Sequence, residues 1–190
     1  MRTPSRRPTC SSTTTSASLR PQLDRDAALA DFESARKEWE SAFARVPDGA
    51  LAYLKAGDDY ALGGLQVHVN WVLTHYRRIL DGIIAGGFKQ LGPQDAPGEG
   101  DAASQKAKEG FPPGDRAKAL SDMSRMHAAV TAAVMKIPAA DWSRKAEVVY
   151  GEGQDPYPTS PEDIIGCLRD HYREHVAQSA ELIDAWEAGS

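Results

Sequence analysis

Residues 160–186 read SPEDIIGCLRDHYREHVAQSAELIDAW. Ser160 stands where a helix N-cap belongs, Pro161 at the first helical position, and Asp163 where the acid of a capping box belongs. Beyond them Ile164, Leu168, His171, His175, Ser179, Leu182 and Trp186 recur at spacings of 4, 3, 4, 4, 3 and 4. That is the period of a helix with one face toward a core. The stretch therefore predicts a helix from the Ser160 cap to about Trp186, with both histidines on the core-facing side.

Three more segments repeat the pattern. Ala28, Phe32, Ala35, Trp39, Ala42 and Val46 alternate spacings of 4 and 3, predicting a helix from about Leu23 to Val46 that Pro47, Asp48 and Gly49 stop. A second helix is predicted from Asp58 or Asp59, either a good N-cap, to Gly86–Gly87. Its stripe is Leu65, His68, Val72, His75, Ile79 and Ile83. A third runs from about Gly114 to Ile137, with Leu120, Met123, Met126 or His127, Val130, Val134 and Ile137 inward. Residues 88–113 read as a long polar link, mobile or looped over one end. Residues 138–159 read as an irregular link holding Trp142 and Val148–Val149–Tyr150. Strand alternation is nearly absent. The expected fold is all-α: a four-helix bundle with long crossover connections.

Residues 1–20 are rich in Ser, Thr and Arg, with no acid. The expectation is a disordered tail over residues 1–22 followed by one domain over 23–190. An acid-free, Arg-rich start also has the composition of an organelle transit peptide; a floppy tail or an over-called start site is the plainer reading. The formal net charge is −5, and setting aside the four arginines of the first twenty residues leaves −9. That charge argues against a nucleic-acid partner. No stretch reaches the roughly 18 apolar residues of a membrane span, and no secretory apolar core is present. Two cysteines, Cys10 and Cys167, make no disulfide framework, so a reducing, cytoplasmic setting is expected.

Histidines four apart on a helix point the same way and lie about 6 Å apart along the axis, so two imidazoles can grip one ion. A core-facing pair without partners is costly, because burial disfavours charge and either cation would repel the other. A shared metal removes the conflict. The plain alternative is two separately hydrogen-bonded core histidines. A third ligand can come from His68 or His75 on the second helix. These lie roughly 10 Å apart along the axis, so one ion cannot take both, and periodicity does not choose between them. His127 reads as partly buried, or as an outer or substrate-facing group. HYREH, residues 171–175, also fits the H-x-x-E-H pattern with Glu174 as base, but that pattern needs a distant third ligand, and only Glu181, Asp184 and Glu187 follow it. No histidine has a glutamate three residues before it, which excludes paired E-x-x-H di-iron motifs. Cys167 reads as a small core hydrophobe.

Two stretches together resemble the DinB-like (YfiT-like) four-helix bundle superfamily, which includes bacillithiol S-transferase-like proteins and mycothiol-dependent maleylpyruvate isomerases. In YALGGLQVHVNWVL, residues 60–73, Tyr60 precedes His68 by eight residues, where relatives usually place Trp. In IIGCLRDHYREHVAQ, residues 164–178, His171 and His175 form the H-x-x-x-H pair. The resemblance implies an up-down-down-up bundle with a metal at one end. It implies His68, His171 and His175 as ligands of a divalent ion (Zn, Ni or Fe), and a homodimer. It also implies a low-molecular-weight thiol as cosubstrate and an electrophilic small molecule as its partner. His171 at the first position of the pair resembles the transferase branch. The competing reading is a non-catalytic, stress-associated metal-binding or dimerisation bundle.

Overall fold

The computed structural model describes residues 25–189. The tail expected over residues 1–22, and the start of the first predicted helix, lie outside the described residues. Among the described residues the chain forms α1 (Arg25–Phe43), α2 (Leu62–Ala85), α3 (Glu99–Glu109), α4 (Arg116–Val134), β1 (Ala146–Val148), β2 (Tyr157–Thr159) and α5 (Pro161–Ala188). The molecule is mostly helical, as the stripes predict, with one short antiparallel ribbon added.

Helix α5 opens as its sequence dictates. The Asp163 backbone N–H donates to Ser160 Oγ at 3.1 Å, and the Ser160 backbone N–H donates to the Asp163 carboxylate at 2.7 Å. Helix α1 buries its expected stripe of Ala28, Phe32, Ala35, Trp39 and Ala42. Its end is closed by Arg116, whose guanidinium donates to the carbonyls of Phe43 (2.9 Å) and Val46 (2.7 Å). The Phe43 carbonyl also accepts from the Val46 N–H at 3.2 Å, so Arg116 pins the turn that follows the helix.

Four expectations are corrected. Helix α2 starts at Leu62, not at Asp58 or Asp59. Its first N–H groups need no carboxylate cap, because backbone carbonyls reach them: Ala61 N–H donates to Ala107 (2.9 Å), Leu62 to Tyr53 (2.9 Å) and Gly63 to Leu51 (2.8 Å). The link over residues 88–113 carries α3, whose end lies against α2. The contact requires glycine at 64, since a Cβ there would fall 1.6 Å from the Ala107 carbonyl oxygen. The link over 138–159 carries the ribbon, in which Ala146 and Val148 point inward while Glu147 is exposed. A parallel bridge between Leu91 and Val148 ties the two links together. Helix α4 is shorter than the predicted Gly114–Ile137 and buries His127 rather than Met126.

Pairwise contacts give the helix directions. Asp31 meets Arg169 and Arg173, and Trp39 lies beside His175, so α1 and α5 run the same way. Asn70 reaches the Ala119 carbonyl and Thr74 reaches Met126, so α2 and α4 also run together. His68 sits by His171 and His175 while Tyr76 sits by Cys167, so α2 opposes α5. Glu33 meets His127 and Arg25 meets the Ile137 carbonyl, so α4 opposes α1. Phe32, Trp39, Phe43, Leu65, Leu80 and Ile83 are fully enclosed between these helices. Among the described residues no helix is long and apolar enough to cross a membrane.

Candidate metal centre

The opposed α2 and α5 bring His68, His171 and His175 together, with one ligand-type nitrogen from each ring lying within 4.8 Å of the other two. His171 Nε2 and His175 Nε2 stand 3.1 Å apart. Two nitrogens bound to one ion at about 2.0–2.1 Å are separated by roughly 2.8–3.4 Å for bond angles between square and tetrahedral. The α5 pair therefore already has a ligand-like spacing. The ring of His68 faces both, with centroids 4.9 Å from His171 and 5.4 Å from His175. The structure thus brings His68, not His75, to the α5 pair.

Neighbours fix each ring. Tyr60 stacks on His68 at 4.4 Å and Trp71 lies 6.1 Å from it, with interplanar angles of 24° and 26°. His175 is 4% exposed. Its Nδ1 lies 2.8 Å from Gln178 Oε1, and Trp39 packs 6.0 Å away. Trp39 in turn donates from Nε1 to Gln66 Oε1 at 2.8 Å. His171 is half-buried rather than core-facing; at that turn of α5 it is Tyr172 that is enclosed. The nearest carboxylate, Glu174, is 3.8 Å from His171 Nδ1 and mostly exposed.

Burial, reinforced by the neighbouring imidazoles, lowers His68 to about 2 and His175 to about 3. Both rings are neutral at ordinary pH and present lone pairs without first losing a proton, as metal ligands must. Three neutral imidazoles so placed form a donor set that could hold one metal ion.

The remaining histidines have other partners. His75 Nδ1 lies 2.5 Å from Asp95, and Arg78 joins Asp95 to Glu99 at 3.0 and 2.7 Å. This ion-pair cluster ties residues 95–99 to α2. His127 stacks on Phe32 at 3.9 Å and meets Glu33 at 3.1 Å and Tyr172 at 3.4 Å. It is a buried core histidine, and none of these contacts reaches the triad. The third member of the HYREH cluster comes from upstream on α2, not from the acids after His175, which removes the basis for the H-x-x-E-H reading. Cys167 packs half-buried beside Tyr76 and contributes no atom to the cluster.

Sequence reasoning missed Gln178, Asp95 and the Trp39–Gln66 pair. Gln178 was findable, because a residue three after His175 on a helix lies on the same side. Asp95 sits in a link without periodicity and carried no signal. Beside Trp71, a groove of about 260 Å³ between α2 and α3 is lined by Val67, Trp71, Glu99, Ala102, Ala103 and Lys106.

Comparison of the chain with protein-family models, curated proteins and solved structures finds no match.

Proposed function

We propose that this is a DinB-like metal-binding protein. In this reading the four long helices form an up-down-down-up bundle, and His68, His171 and His175 hold one divalent ion with a coordination position left for an outside ligand. The observation that carries the reading is the convergence of three imidazole nitrogens from two opposed helices, two of them already 3.1 Å apart. A Zn, Ni or Fe ion held by His68, His171 and His175 would supply Lewis acidity, which favours the thiolate form of a thiol near neutral pH.

The chain's own residues do the rest. Tyr60 and Trp71 orient His68, while Gln178 and Trp39 orient His175. His171, with its side chain 16% exposed, is the least buried of the three and the one nearest solvent. The groove beside Trp71 offers room for the organic part of a small molecule. The function supported best is a thiol S-transferase or isomerase that joins a low-molecular-weight thiol to an electrophilic substrate, in a cytoplasmic homodimer. Its test is thiol consumption with a chromogenic electrophile, comparing metal-loaded wild type with His171→Ala. Turnover in the first and none in the second is expected; equal rates would refute the reading.

The deep burial of His68 and His175, 8% and 4% exposed, favours one alternative. In it the ion is structural, and the bundle binds metal without turnover of any thiol.

A further inference from the structure

We infer that Gln178 is a positioning residue that sets the ring tautomer of His175 and so aims its Nε2 lone pair at the metal centre. The inference rests on the metal-binding reading above and goes one shell further out.

A neutral imidazole carries a single ring proton, and whatever partners one nitrogen decides which nitrogen keeps it. Gln178 Oε1, an acceptor without a proton, lies 2.8 Å from His175 Nδ1. The proton therefore belongs on Nδ1, which leaves a lone pair on Nε2. Nε2 is the atom that faces His171 Nε2 at 3.1 Å. Burial of His175 removes water as a competing partner for either nitrogen. The helix supplies the geometry: three residues on, Gln178 lies one turn above His175 on the same side of α5.

The chemistry of this partner also matters. A carboxylate there would place negative charge behind the ligand and offset part of the ion's charge. The amide is neutral, and the nearest acid, Glu174, is mostly solvent-facing beside the other histidine. A buried ion held by neutral ligands with a neutral outer partner keeps its full charge, and so attracts an anionic outside ligand.

The test uses two readouts on the whole chain. The first is nitrogen-15 NMR of the imidazoles at neutral pH without metal, which reports the tautomer. The second is zinc affinity measured by chelator competition. Wild type is expected to show His175 protonated at Nδ1. In Q178L that tautomer is lost and zinc affinity falls 10–100-fold, the usual cost of removing an outer partner of a ligating histidine. In Q178E the carboxylate accepts the same bond, so the tautomer and tight zinc binding both persist. Far-UV circular dichroism checks folding, and if Q178L does not fold, Q178E decides.

A wild-type His175 protonated at Nε2, a Q178L chain that keeps both tautomer and affinity, or a Q178E chain that loses the tautomer would each overturn the inference. A correct tautomer in a wild type that binds no zinc would support the role of Gln178 and overturn the metal-binding reading instead.

Discussion

Of the chain's five histidines, four are buried and one is half-buried, and their neighbours give them three different roles. His75 is paired to a carboxylate, His127 lies between an aromatic ring and a glutamate, and His68 and His175 face other imidazoles. His127 provides a pH test away from the metal centre. Burial lowers it to about 4 from an unfolded value near 6.5. Between those values the folded state binds fewer protons than the unfolded one. Stability is therefore lost as pH falls from about 6.5 toward 4, by a few kcal/mol at most from this residue. In His127→Phe, which keeps a ring against Phe32, melting temperature should fall less steeply from pH 7 to pH 4.5 than in wild type. Parallel melting curves would contradict this.

At the scale of elements, the contrast between α5 and α2 shows what a sequence can reveal. The cap and first residue of α5 were legible because its N-terminus is satisfied by its own residues. Its stripe was legible except at His171 and Trp186, which are half-buried while Ile165 and Tyr172 are enclosed. Ser160→Ala removes that cap and should cost about 1 kcal/mol in denaturant unfolding with unchanged slope. The start of α2 was misread because distant backbone, at Leu51, Tyr53 and Ala107, satisfies its N–H groups. No local pattern signals such partners. Helix α3 was illegible for a related reason: it buries only Ala107 and carries no apolar stripe. Its place is set by the approach of its last turn to Gly64. Gly64→Ala is expected to detach that turn, raising protease sensitivity within residues 88–113 while leaving α5 helical. Wild-type resistance in that variant would show that the close approach is not needed.

For the whole molecule, the α5 histidine pair was readable from spacing alone, whereas the choice of His68 over His75 was not. Both lie on the predicted stripe of α2, and only the opposed packing of α2 on α5 decides which meets His171 and His175. Asp95, from a link without periodicity, meanwhile engages His75. The central claim is therefore tertiary: two helices distant in sequence close one three-nitrogen site. The most direct measurement is metal analysis of untagged protein after equilibration with zinc and removal of free ion. It should be made on wild type and on His68→Ala, His75→Ala, His171→Ala and His175→Ala. About one ion per chain is predicted in wild type and in His75→Ala, and almost none in the other three. Zinc retained by His68→Ala at the wild-type level, or lost equally from His75→Ala, would contradict the account.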